Sequence, residues 1–177
     1  MNLRHRVATD CPITLRSGEE RDRDFLAGIF TDVWAAIPEE DKTAILSRGF
    51  GQGITVDVWG PDTMQGFDGL SDKGGDIWLN RTAVDFHSRA SLIRLAAHEL
   101  AHKVDDAAQF AKVDLLEQPA KAEAFIARMS EPRRNTERRV ATILKRWGYP
   151  AKAKSKPTQA DKDRAWANMK NRMEAQP

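Results

Sequence analysis

His98 and His102 stand four residues apart, with Glu99 directly after the first. On a helix that step is about one turn, so both imidazoles project from one face and can bind the same metal ion. The carboxylate of Glu99 then reaches a water beside that ion and can take its proton. Two imidazoles, a divalent cation and a basic carboxylate are the parts needed to add water to a peptide carbonyl. His98-Glu-Leu-Ala-His102 therefore predicts a zinc-dependent peptidase with Glu99 as general base.

The spacing has this meaning only on a helix, and the flanking sequence supplies one. Ser88 can cap it, and Leu92, Ile93, Leu95, Ala96, Leu100 and Val104 recur at three- and four-residue steps. Neither Pro nor Gly interrupts from Ser88 to Lys112. Desolvated His and Glu side chains on such an apolar helix need partners, and a bound metal provides them. The competing reading is a helix whose histidines hydrogen-bond within a core.

A catalytic zinc site takes three protein ligands and keeps one position for water, so a third ligand must be found. A His or Asp six residues past the second His, reached through a Gly, is ruled out, because position 105 is Asp and position 108 is Ala. The remaining candidates are later glutamates: Glu117, Glu123 and Glu137. Glu137 precedes Val140, Ala141 and Leu144 by three, four and seven residues, which places it on the apolar side of its helix. Glu123 lies off the stripe formed by Ala122, Phe125, Ile126 and Met129, and Glu117 precedes a proline-bearing helix start. Glu137 ranks ahead of Glu123; its alternative role is a buried salt bridge to an arginine. Asp106, one turn beyond His102, can accept the ring N–H that a metal leaves unused, or it is a plain helix-end acid.

The elements that must position these groups follow from periodicity. Glu19 to Ile37 reads as an amphipathic helix ended by Pro38, and a short helix through Ile45 and Leu46 ends at Arg48-Gly49. Ile54, Val56 and Val58 alternate with Thr55 and Asp57, a strand reaching Trp59. Met64 to Gly75, with four Gly, reads as a loop over the site. Asp76 to Asn80 reads as a second strand, either the rim along which an extended substrate lies or an interior strand. Helices follow over Leu115 to Met129 and Asn135 to Trp147, separated by Ser130-Glu-Pro132, and Gly148-Tyr-Pro150 closes the body. Lys152 to Pro157 reads as a linker to a surface helix over Gln159 to Met173, with Trp166, Met169 and Met173 on one side. The expected class is α+β, mainly helical with a small mixed sheet packed on the helix of His98. The expected division is a domain over 1–150 and a basic tail over 151–177.

Composition bounds the rest. An apolar fraction of 41% and a charged fraction of 31% belong to a soluble globular chain, and no run approaches a membrane span. Met1 to Thr14 has no apolar segment of the secretory kind, and Cys11 is the single cysteine, so a cytoplasmic protein is expected. An injected effector or a phage-encoded protein stays compatible with both features. Residues 145–177 hold nine Lys/Arg against three Asp/Glu, out of 28 and 26 in the chain. That basic tail is either solvated or a contact for nucleic acid or an acidic partner.

Over His98-Glu-Leu-Ala-His-Lys-Val-Asp-Asp106 the chain resembles the anthrax lethal factor-like and Pro-Pro endopeptidase group of zincins. It also looks like the compact zincin domains of ImmA/IrrE type and those of phage- and plasmid-borne polyvalent proteins. The resemblance covers about residues 76–147 and implies a zincin-like fold, a Zn²⁺ cofactor, a protein or peptide substrate, and a third ligand that is Glu on the helix after the motif. Glu137 in Asn135-Thr-Glu-Arg-Arg-Val-Ala141 matches that position, and Glu123 matches it less well. The lethal factor-like enzymes carry a Tyr shortly before the third ligand, which steadies the oxyanion, but position 130 here is Ser. Tyr149, the only tyrosine, could replace it if the chain folds back; His87 is a second candidate donor. Two rival functions remain: a non-catalytic module that binds a regulator or nucleic acid, and a narrow protease that cuts a single regulator.

Overall fold

A computed structural model describes residues 5–8, 11–16, 20–47, 53–149 and 157–174. It is mostly helical with a small mixed sheet, as expected of the α+β class. In chain order the elements are β1 (His5–Ala8), β2 (Cys11–Leu15), α1 (Glu20–Ala36), α2 (Glu39–Ser47), β3 (Ile54–Trp59), α3 (Pro61–Met64) and β4 (Gly69–Ser71). They continue with β5 (Asp76–Asn80), α4 (Arg81–Phe86), α5 (Arg89–Asp114), α6 (Ala120–Met129), α7 (Arg133–Arg146) and α8 (Gln159–Glu174). The Arg48-Gly49 helix exit, Pro150 and most of the 152–157 linker lie outside the described residues. Among the described residues no helix is long and apolar enough to cross a membrane.

The sheet order is β1-β2-β3-β5-β4. Strands β2, β3 and β5 run parallel, while β1 and β4 pair antiparallel with β2 and β5. Alternation sets which face is buried: Cys11, Ile13, Leu15, Ile54, Val56, Ile77 and Leu79 point into one core with Leu26, Phe30 and Val33 of α1 and Leu92, Ala96 and Leu100 of α5. The alternation of Cys11, Ile13 and Leu15 was a strand signal that sequence reasoning passed over.

Of the two readings of Asp76–Asn80, the interior strand is the one observed, hydrogen-bonded on both sides, and one expectation about the sheet changes. The rim is β4, inside the segment expected to be a loop. Three residues containing Gly69 and Ser71 carry too little β-propensity to announce a strand; pairing with β5 creates it. Asp72 builds the turn that returns the chain, its Oδ1 accepting from Gly74 N at 2.9 Å and Asp76 N at 2.8 Å. Lys103 of α5, fully buried, then donates from Nζ to Asp72 O at 2.5 Å and Asp76 O at 3.0 Å, fixing that turn onto the helix of the two histidines.

Helix α6 also departs from its pattern. Phe125, Ile126 and Met129, expected to face the core, are 47%, 64% and 51% exposed, and the buried residue is Arg128. An arginine turns inward here because buried carboxylates on neighbouring helices need its charge more than the apolar stripe needs cover. Helix α8 packs against α4, also through polar groups, with Arg172 paired to the fully buried Asp85, and it reaches the start of α5, where Asp161 Oδ1 accepts from Arg89 N at 2.6 Å. Trp166 and Met173 remain exposed.

Candidate metal centre

Helix α5 begins as its sequence predicts, with Ser88 Oγ accepting from Ser91 N at 3.1 Å. Its inward stripe of Leu92, Ala96, Leu100 and Val104 is buried, which fixes the rotation of the helix and with it the direction of His98 and His102. Their Nε2 atoms lie 3.2 Å apart, with the rings nearly perpendicular at 82°. Loss of solvent lowers the pKa of both: His98 falls below its ordinary value, and His102, with the neighbouring imidazole as a second cause, is pulled down to about 4. Both rings are therefore neutral at pH 7, the form in which imidazole ligates a metal.

Glu137 of α7 completes the group. Its Oε2 is 3.4 Å from His98 Nε2 and its Oε1 is 3.7 Å from His102 Nε2. In a tetrahedron with metal–ligand bonds of about 2.0–2.1 Å, neighbouring ligand atoms stand roughly 3.3 Å apart. The His98–His102 separation is close to that edge, and one donor atom from each of His98, His102 and Glu137 lies within 4.8 Å of the others, so the three could hold one metal ion. Glu117 and Glu123 are exposed and stay outside the group.

Glu99 is 3% exposed and turns toward the edge strand: a β-carbon on Gly69 would lie 2.6 Å from its Oε1. Burial, followed by the negative charge of Glu137, raises the Glu99 pKa to about 8; Lys103 and Arg133 oppose the rise. Glu99, His102 and Glu137 share a cleft of about 250 Å³ with Gly69, Leu70 and Ser71, so the rim strand forms one wall and α7 the other.

A partly buried ion network holds the walls together. Arg139 donates from Nε to Asp105 Oδ1 at 2.6 Å and from Nη1 to Glu131 Oε1 at 2.6 Å. Arg128 donates from Nη1 to Glu131 Oε2 at 2.7 Å and from Nη2 to both Asp105 and Asp106. Asp105 and Asp106 of α5, three and four residues beyond His102, are thereby tied through Arg128 to α6 and, for Asp105, through Arg139 to α7 two residues beyond Glu137, with Glu131 accepting from both arginines. Asp106, considered as an acceptor for a histidine ring, directs its carboxylate to Arg128 instead; burial raises its pKa and that arginine opposes the rise.

The candidate oxyanion donors are elsewhere. Tyr149 lies past the end of α7, where the chain turns back and its N donates to Leu144 O at 2.8 Å. There it packs on the core, its pKa raised by burial and then by Asp32, and it does not line the cleft. His87, at the N-terminal flank of α5, faces Asp68 at 3.8 Å and is also outside the cleft.

Sequence reasoning missed Arg133. Its Nε donates to Glu137 Oε1 at 3.1 Å, and its guanidinium lies 4.6 Å over the Phe67 ring. The four-residue step from Arg133 to Glu137 was a readable signal, because it places the two on one helix face. The contacts of Lys103 with Asp72 and Asp76 and of Arg128 with Asp105 and Asp106 had no such signal, since these partners are distant in sequence. Comparison of the chain with protein-family models, with curated proteins and with solved structures finds no match.

Proposed function

We propose that this chain is a zinc-dependent endopeptidase whose metal is held by His98, His102 and Glu137. The observation that carries the reading is the convergence of two neutral imidazoles and one carboxylate, with donor atoms within 4.8 Å of one another and a buried carboxyl beside them in the same cleft. Borderline-soft nitrogen ligands with a single carboxylate favour zinc over magnesium or calcium, which prefer all-oxygen shells. Bound zinc supplies Lewis acidity toward a water and a substrate carbonyl at the position the protein leaves open.

The remaining steps belong to the chain. An extended peptide pairs its backbone with β4 and so presents its scissile carbonyl between Glu99 and the metal group. Glu99 takes a proton as the water oxygen bonds to the carbonyl carbon, then returns it to the amide nitrogen as the C–N bond breaks, giving a carboxylate and an amine. Near-complete burial keeps Glu99 out of bulk water, which strengthens its pull on that proton. With its single cysteine buried in β2, the enzyme suits a reducing, cytoplasmic compartment.

The alternative of a nucleic-acid-binding tail has less support, because Arg164 and Arg172 of α8 are occupied by α4 carbonyls and by Asp85. The test is Glu99→Gln. The variant keeps the zinc content of wild type and loses turnover on any peptide or folded protein that wild type cuts. Equal cleavage by the variant refutes the mechanism, and zinc retained after His102→Ala refutes the metal site.

A further inference from the structure

We propose that Arg133 is a catalytic residue that hydrogen-bonds the substrate carbonyl oxygen as negative charge builds on it. The proposal rests on the hydrolytic reading of the site. Addition of water to a peptide carbonyl moves an electron pair onto oxygen, and a donor aimed at that oxygen stabilises the transition state more than the ground state. No proton leaves Arg133 in this step; the water proton goes to Glu99 and then to the amine.

Three observations single out this side chain. First, Arg133 is anchored where the reaction takes place: its Nε holds Glu137 at 3.1 Å, so the guanidinium starts one bond from the metal group and lines the cleft. Second, it is aimed across the cleft. The guanidinium rests 4.6 Å over the Phe67 ring, and Phe67 is fixed just before the rim strand by Asn80 Nδ2, which donates to its carbonyl at 2.9 Å. Arg133 therefore bridges from α7 toward β4 over the path of a strand-bound peptide. Third, the other cations of the cleft are turned to protein groups: Lys73 Nζ donates to Arg128 O at 2.8 Å, and both Nη groups of the buried Arg128 go to Asp105, Asp106 and Glu131. The Nη groups of Arg133 have no hydrogen bond among the described residues and stay accessible, with the side chain 58% exposed. Its charge is felt at His98, Glu99 and His102 alike.

The experiment uses the full chain loaded with cobalt(II), whose visible spectrum reports anion entry, titrated with phenylphosphonate as a tetrahedral oxyanion. Arg133→Gln weakens phenylphosphonate roughly tenfold or more, with cobalt affinity changed less than about threefold, and Arg133→Lys recovers part of the loss. On any peptide that wild type hydrolyses, Arg133→Gln lowers kcat about 100-fold with KM within a few-fold. Undiminished phenylphosphonate binding by Arg133→Gln overturns the proposal. So does a parallel loss of cobalt affinity, which would make Arg133 only a support for Glu137. A wild-type chain that takes up no cobalt, or takes it up equally after His98→Ala, refutes the underlying metal reading, a result distinct from either failure of Arg133.

Discussion

Arg139 grips Asp105 with two parallel hydrogen bonds, Nε to Oδ1 at 2.6 Å and Nη2 to Oδ2 at 3.0 Å. Asp105 follows His102 by three residues and Arg139 follows Glu137 by two, so this fork sets the distance between the imidazoles and the carboxylate that face each other. A bidentate pair fixes orientation as well as separation, which a single contact between α5 and α7 would not.

Arg139→Ala should therefore weaken a site it does not touch. Zinc affinity, measured by chelator competition, is expected to fall about 10–100-fold, as for other groups that orient metal ligands. Asp105, 2% exposed, and Glu131 lose one of their two cations and keep Arg128, so the metal-free variant should also lose about 1–3 kcal/mol in urea unfolding. Unchanged zinc affinity would show that α7 is held by packing alone.

The metal-free protein should have an unusual pH response. Glu99 has a folded pKa of about 8 against an ordinary 4.5, so the folded state binds more protons across that window and stability falls as pH rises through it. His102, at about 4 against 6.5, acts oppositely: the unfolded state binds more protons, and stability is lost as pH falls from 6.5 toward 4. Below pH 6.5 His102, joined by His98 whose pKa is also lowered, opposes Glu99, so the decline with rising pH lies between pH 6.5 and 8, at up to about 1.4 kcal/mol per pH unit. Glu99→Gln removes that decline, and so does zinc, whose charge favours the carboxylate. Thermal melts of both proteins at pH 6.5 and 8, with and without zinc, check it; a wild-type curve flat across this range in the absence of metal would count against the buried Glu99.

Gly69→Ala should separate binding from catalysis. The new methyl group would sit 2.6 Å from Glu99 Oε1 and 2.9 Å from Leu95 Cδ1, so the carboxyl must move while the three metal-binding groups need not. Turnover is expected to drop about 100-fold, the scale on which a small misplacement of a reacting group is felt. Zinc content should stay at the wild-type level, read by metal analysis beside the kinetic assay.

Much of the architecture could be read from local pattern. The strand periods of Ile54–Trp59 and Asp76–Asn80, the stop at Pro38 and the cap at Ser88 each depend on a few neighbouring residues, and all four appear as expected. The apolar phase of α7 pointed Glu137 inward, and the structure brings it to His98 and His102. Patterns failed where a residue's environment comes from elsewhere in the chain. Phe125, Ile126 and Met129 have helical spacing but stay about half exposed or more, Phe125 meeting only the edge of the core at Phe110, and Gly69–Ser71 is a strand only because β5 lies beside it.

By itself the sequence determined that one helix carries two imidazoles and a carboxyl on a single turn, because helical geometry converts a four-residue step into a shared face without help from the rest of the chain. Only the tertiary structure decided which glutamate meets them, which strand forms the rim and which cation stands over the cleft. Those are distances between segments far apart in sequence, fixed by the buried contacts of Lys103, Arg128 and Arg139 that no local period encodes.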